Sequence, residues 1–152
     1  MEPIHRVAVV GAGNMGSGIA QKSAQEEFDV QMVDRELQWV ERGQSIIADF
    51  LSEAVERRIF SPAQVESIQH RITGVVGVEN TAEDTDLVIE AVFEDFDVKT
   101  AVFNALDEAC GDSTILASNT SSLSVNALAE ATGRADRFVG LHFFYHPAKN
   151  RL

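Results

Sequence analysis

Glycines 11, 13 and 16, in the run Gly11-Ala-Gly13-Asn-Met-Gly16, are the first residues of this chain whose spacing could do chemistry. They follow a short apolar run, His5 to Val10, and open a helix-like stretch, which is the setting in which such a loop cradles a pyrophosphate. Gly11 allows the tight turn, Gly13 lets backbone amides approach phosphate with no side chain between them, and Gly16 lets helix and strand pack closely. The anion then rests on unpaired amides at the positive end of the helix, with no Lys or Arg needed. For the glycine spacing alone, an ordinary glycine-rich turn is the alternative. Asp34 weighs against it, because it closes the next strand-like run about 20 residues on, where a carboxylate accepts hydrogen bonds from both ribose hydroxyls of an adenosine. That carboxylate repels a 2'-phosphate and so favours NAD over NADP, whereas Arg35 beside it could pair with the extra phosphate. Gly11, Gly13, Asn14, Met15, Gly16, Asp34 and Arg35 are therefore the candidate dinucleotide contacts.

These residues need elements to hold them. His5 to Val10 is nearly continuous in apolar and β-branched residues, which suits a strand covered on both faces. The pattern predicts a helix from Asn14 to Glu27, a strand over Val30 to Val33, and a long amphipathic helix in which Leu37, Val40, Ile47, Phe50, Leu51, Ala54 and Val55 recur at three-to-four-residue spacing as far as Ile59. Ser61-Pro62-Ala63-Gln64 starts another helix, with Ser61 as cap, Pro62 at the first position and Gln64 completing a capping box. Ile72 to Val78, Asp86 to Glu90, Thr114 to Ala117 and Arg137 to His142 read as further strands. Between them, Val98, Val102, Leu106 and Ala109 form the inward stripe of a helix stopped near Gly111, and Ser124 to Ala131 forms the next. Strands alternating with helices imply an α/β fold of Rossmann type, a doubly wound, mostly parallel sheet with helices on both faces.

Length and charge bound the rest. The 152 residues, 45% hydrophobic, suffice for one domain with a real core and exclude a disordered tail or a disulfide scaffold. Twelve Lys and Arg against 24 Asp and Glu give a charge of -12, the wrong sign for nucleic acid or an anionic membrane surface. Cys110 stands alone, no apolar run approaches the roughly 18 residues of a membrane span, and Met1 to Arg6 leads directly into the first strand; a cytoplasmic location is the expectation. No metal-ligand spacing is present, and Cys110, His5 and His70 are expected to be structural or exposed.

Three further segments sharpen the reading: Val88-Ile-Glu-Ala-Val-Phe-Glu-Asp95, Ala117-Ser-Asn-Thr-Ser-Ser-Leu123 and Phe138-Val-Gly-Leu-His-Phe-Phe144. With Gly11-Ala-Gly-Asn-Met-Gly-Ser-Gly-Ile-Ala20, they make the chain resemble the NAD-binding domain of the L-3-hydroxyacyl-CoA dehydrogenase family, in order along essentially all 152 residues. The resemblance implies oxidation of an (S)-3-hydroxyacyl-CoA to the 3-oxoacyl-CoA. It implies His142 as the catalytic base, Ser121 as the residue that hydrogen-bonds the substrate oxygen beside the nicotinamide, and Ala91, Glu94, Lys99 and Asn119 as residues lining the cofactor. A neutral imidazole suits the task, since it titrates near working pH and can both accept and return a proton.

Each assignment has a plainer rival. His142 could be a satisfied histidine at a strand end, Ser121 and Ser122 could cap the next helix, and Glu94 with Lys99 could be a solvated helix face. Arg57 and Arg58 lie where the family meets CoA, although an exposed helix end is the simpler reading. Tyr145-His146 stands where the family has Asn-Pro; a tyrosine can donate one hydrogen bond but cannot serve both functions of the nicotinamide amide, and His146 adds a second imidazole. The family further implies a helical C-terminal domain that completes the acyl-CoA cleft and forms a homodimer, and no such segment lies within residues 1–152. A glutamate that orients the histidine about twelve residues later also falls outside, and losing such a partner costs on the order of 10⁴ in rate, so these residues alone are expected to bind cofactor better than they turn over. Phe143, Phe144 and Leu152 are candidates for apolar surface that would then be uncovered. A non-catalytic dinucleotide-binding module of the same fold is the competing function. A β-hydroxyacid dehydrogenase shares the glycine loop but not the Ser-Asn-Thr-Ser-Ser and His-Phe-Phe segments.

Overall fold

The computed structural model describes residues 3–150. Its centre is β1 (Arg6–Val10), where Val7, Ala8, Val9 and Val10 are all but inaccessible to solvent. Alternation sends Val7 and Val9 to one face, with Ile19, Met32, Ile47 and Leu51, and Ala8 and Val10 to the other, with Phe103, Leu106, Leu116 and Leu128. A strand buried on both faces must be flanked by strands and covered by helices, and it is. Six parallel strands lie in the order β3-β2-β1-β4-β5-β6, where β2 is Asp29–Asp34, β3 Ile72–Val76, β4 Leu87–Glu90, β5 Ile115–Ser118 and β6 Phe138–Gly140. The helices α1 (Asn14–Gln25), α2 (Leu37–Glu56), α3 (Pro62–His70), α4 (Phe96–Ala109) and α5 (Val125–Glu130) fill the crossovers. This is a doubly wound parallel sheet, as the sequence implies, and the switch point of its strand order between β1 and β4 opens a crevice at the carboxyl ends of the strands. None of the described helices is long and apolar enough to cross a membrane.

The elements differ from the sequence expectation mainly at their ends. Helix α1 stops at Gln25 because Glu27 takes a left-handed φ of 70°, and α2 stops at Glu56, short of Ile59, because Arg58 turns at φ 58°. The amide of Ile59 instead donates to the Ala54 carbonyl at 2.8 Å. Strand β3 gives way after Val76 to a short 3-10 turn, Val78–Asn80. The capping box at Ser61 and Gln64 forms as the sequence predicts, and Ser124, not Ser121 or Ser122, caps α5. Strand β6 is three residues long and ends at Gly140, well before His142. Beyond Leu141, whose N–H still reaches the Ser118 carbonyl at 2.9 Å, the next inward donor, Phe143 N–H, goes to the side chain of Asn119 and leaves the ladder. Phe143 itself is 7% exposed, so it is not the uncovered apolar surface expected of it; Phe144 is 72% exposed, and Leu152 lies outside the described residues.

Close approach decides the first turn. Gly11 has φ +104°, and a methyl group there would lie 2.6 Å from the Ala91 carbonyl oxygen; one at Gly16 would overlap the carbonyl of Gly11 itself. Helix α1 therefore starts against the end of β1 with no room for a side chain.

Phe103 is fully buried and meets Phe138 edge-on at 4.7 Å, which ties α4 to the strand leading to His142. Phe103→Ala is expected to cost about 3–5 kcal/mol in urea unfolding, whereas Leu37→Ala, at an exposed position, should stay within about 0.5 kcal/mol.

Candidate functional site

Parallel strands leave the sheet at one edge, so the turns after β1, β2, β4, β5 and β6 gather there. They enclose an outer cleft of about 770 Å³ and an inner one of about 350 Å³, which share Met15, Ala91 and Val92 and so form one groove. Gly11, Gly13, Asn14, Met15, Asp34, Arg35 and Ala91 line the outer part; Met15, Ala91, Glu94, Lys99, Asn119, Ser121 and His142 line the inner part. Of the candidate residues, Gly16 alone stays out of the groove, buried beneath the turn that it permits.

The outer cleft is made largely of backbone. Helix α1 begins at Gly13 with no side-chain cap and no acidic residue in its first turn, so its leading N–H groups face the groove without an internal partner. By contrast Ser61, Asp95 and Ser124 cap α3, α4 and α5 with their own oxygens. A Cβ at Gly13 would meet no protein atom within 4 Å, so packing within the chain does not explain a glycine here. Close approach of a phosphate would. Asp34 is held from within: its Oδ2 accepts the Ala12 N–H at 2.8 Å and its Oδ1 the Arg35 N–H at 2.7 Å, which fixes the carboxylate at the groove while leaving lone pairs for a ribose. These donors and this acceptor fit the two ends of an ADP group.

Sequence reading missed three outer walls. Trp39 and Arg42 rise from α2, with the guanidinium 6.0 Å above the indole, and Phe93, 80% exposed, faces them. Trp39 is the chain's one tryptophan, but helical periodicity alone does not separate a groove wall from a core contact.

The inner cleft is made of side chains. Lys99 is 1% exposed, which removes the solvated-face alternative; its ammonium contacts Glu90 at 2.6 Å, Glu94 at 3.1 Å and the Val92 carbonyl at 3.3 Å. Glu94 in turn accepts from the Thr120 hydroxyl at 2.5 Å and from the N–H groups of Ser121 and Ser122 at 3.0 and 3.3 Å. Burial pushes the Glu94 carboxyl up, but those hydrogen bonds and the Lys99 charge outweigh it and hold the group down at about 2. Asn119 accepts the Phe143 N–H at 2.8 Å, and so holds the segment from which the exposed His142 enters the cleft beside Phe144. His146 turns elsewhere: it stacks on Phe50 at 4.7 Å, and burial, with the charge of Lys149, holds its imidazole below the ordinary value. Arg57 is exposed and pairs with Glu53 at 3.3 Å beside a separate hollow of about 300 Å³. Cys110 is buried, its thiol pushed up by that burial, and His5 and His70 are exposed.

The pattern of the 3-hydroxyacyl-CoA dehydrogenase NAD-binding domain matches residues 6–152. The chain is 41% identical over 140 residues to a probable 3-hydroxybutyryl-CoA dehydrogenase of Bacillus subtilis, covering 92% of this chain and 48% of the relative. It is 36% identical over 146 residues to the mitochondrial hydroxyacyl-coenzyme A dehydrogenase of Sus scrofa, covering 93% and 46%. A crystal structure of (S)-3-hydroxybutyryl-CoA dehydrogenase from Ralstonia eutropha superposes with a TM-score of 0.90 at 40% identity, over 93% of this chain and 50% of that one. The chain thus spans about half the length of these relatives.

Because the folded state binds the ionised Glu94 more tightly than the unfolded chain does, its contribution is complete above the ordinary value of 4.5 and is lost as pH falls towards 2. Acid titration followed by urea unfolding should show a loss of stability across that window, and Glu94→Gln should reduce it, leaving the part due to Asp86, whose carboxyl the Arg6 and His5 amides also hold below its ordinary value.

Proposed function

The chain belongs to the 3-hydroxyacyl-CoA dehydrogenase family as its NAD-binding domain, and from that membership we propose that the protein oxidises (S)-3-hydroxyacyl-CoA to 3-oxoacyl-CoA with His142 as base. The carrying observation is that His142, Ser121 and Asn119 line the same inner cleft, continuous with the uncapped start of α1. In this reading the amides after Gly13 hold the pyrophosphate and Asp34 accepts from the adenosine ribose. Met15, Ala91 and Val92 then guide the far half of the dinucleotide inward. Bound NAD supplies an electrophilic ring that accepts a hydride from carbon 3 of the substrate.

The residues of this chain do the rest. Ser121 donates its hydroxyl to the oxygen on carbon 3, at the end of a loop that Glu94 grips by its amides. His142 takes the proton of that hydroxyl on a ring nitrogen, leaving the oxygen free to become a carbonyl, and returns a proton in the reverse direction. Lys99 contributes through Glu94, since its ammonium is enclosed by Glu90, Glu94 and a carbonyl. We also assign the acyl-CoA cleft and the homodimer contact to the half of the relatives' length that this chain does not span, and the protein to the cytoplasm, which suits a single buried thiol.

The decisive test is oxidation of NADH by acetoacetyl-CoA in a protein that continues from this chain into that second half. His142→Gln should lower kcat by roughly 10²–10⁴ with NADH affinity intact. A silent parent that still binds NADH would replace the enzyme by a dinucleotide-binding module. Separately, Asp34→Ala removes an acceptor whose hydrogen bonds to a charged group are worth about 1.5–3 kcal/mol, so calorimetry should find NADH bound roughly 10- to 100-fold more weakly.

A further inference from the structure

Glu90, the last residue of β4, is a carboxylate with no solvent contact at all, and the chemistry above does not use it. Its Oε1 accepts from the Lys99 ammonium at 2.6 Å and from the Val92 N–H at 2.8 Å; its Oε2 accepts from the Ser118 hydroxyl, at the end of β5, at 2.6 Å. Ser118 Oγ also accepts the Thr120 N–H at 3.2 Å. One side chain therefore fastens the start of both loops that wall the inner cleft, Ala91 to Glu94 and Asn119 to Ser121.

The connection continues outward. Lys99 passes from Glu90 to Glu94, and the other oxygen of Glu94 holds Thr120, Ser121 and Ser122. A buried ion pair of this kind is poor evidence for stability, because apolar residues of the same volume often serve as well. What it supplies and they do not is direction: each donor of the ammonium is fixed on one acceptor, in surroundings where charge is weakly screened.

We propose that Glu90 is a positioning residue of this site, which acts through Ser118 on one side and through Lys99 and Glu94 on the other to set where the Ser121 loop meets the nicotinamide end of the groove. The proposal rests on the reading of that groove as the NAD cleft. With an amide in place of the carboxylate, the Lys99 ammonium faces an NH₂ group or a weaker acceptor, and its charge falls wholly on Glu94. Glu94 is then drawn towards Lys99 and away from the amides of Ser121 and Ser122. The phosphate loop and Asp34 share no hydrogen bond with this row and stay as they are.

The experiment is NADH titration of this 152-residue chain, followed by the emission of the reduced nicotinamide, with Glu90→Gln and Ser118→Ala beside the parent. The parent should bind with enhanced emission, since the ring is held in a defined, partly dry cleft. Glu90→Gln should bind with affinity within about threefold, because the Glu90 side chain shares no hydrogen bond with the phosphate-loop amides or Asp34, yet lose most of the enhancement. Ser118→Ala removes one hydrogen bond and no charge; it should remain folded, lose part of the enhancement, and decide the matter if Glu90→Gln does not fold. In the extended protein the same misplacement should cost about 10- to 100-fold in kcat. Variants that melt earlier but show the parent's emission when bound would make Glu90 a structural residue and overturn the proposal. A parent that takes up no NADH would remove the reading beneath it, a different failure that the parent alone exposes.

Discussion

A strongly acidic chain that takes an anionic dinucleotide must bring local positive ends of dipoles to the anion, and the parallel sheet is what makes this possible. At about 8 Å of screening in physiological salt, most of the excess carboxylates are too far from the groove to matter, so the first few ångströms decide. There the start of α1 offers unpartnered amides, brought against the end of β1 because Gly11 and Gly16 leave no side chain between strand and helix. Were the strands antiparallel, the turns would alternate between the two edges, and Asp34, Ala91, Ser121 and His142 would not share one.

The two halves of the groove are built from different materials. The outer half rests on backbone geometry and one carboxylate, itself tied to the Ala12 and Arg35 amides. Such a surface is rigid at little cost in side-chain entropy, and it binds without regard to what the far end of the ligand does. The inner half depends on charged side chains, Glu90, Lys99 and Glu94 in a row from buried to partly exposed, with burial falling towards the cleft. The first pair is nearly dry and so strongly directional; the last member keeps contact with water and grips the Ser121 loop through backbone amides. Orientation is thus concentrated where a reaction would need it.

The outer half of the groove was legible in the residues themselves, because a strand, three glycines at fixed spacing and an acid at the end of the next strand are all local in sequence. Six strands and a doubly wound parallel sheet followed from alternation of β-branched runs with helical stripes, and the errors fell at ends where one residue, Glu27 or Arg58, took a left-handed turn that no periodicity announces. The inner cleft was legible only through family resemblance. Glu90 and Lys99 are 9 residues apart, Glu90 and Ser118 are 28 apart, and their meeting is a fact of strand order that a one-dimensional pattern does not carry. Within that pattern Glu90 was simply the polar end of a strand, and Lys99 had a surface role as its plain alternative. Trp39 and Arg42 escaped for a similar reason, since a helix face that borders a groove has the same composition as one that borders solvent.

The segment after His142 shows how a departure from a family motif can be absorbed. Tyr145 and His146 stand where asparagine and proline are usual, and in the sequence a second imidazole so near the first offers two candidate bases. Three-dimensional placement separates them. His146 lies flat against Phe50 with its planes 15° apart, its Nδ1 buried without a hydrogen-bond partner, and burial disfavours its charged form. It packs near Gly18, where even a methyl group would crowd Pro147, so this stretch is clamped between α1 and α2. A base needs access to a substrate hydroxyl and somewhere for its proton to go. Of the two, His142 is the one open to a ligand: it is exposed in the inner cleft on a segment fixed by Asn119, while Tyr145, 73% exposed, lines the same cleft. His146 therefore packs the segment against the helices behind it, and the imidazole at 142 faces the groove.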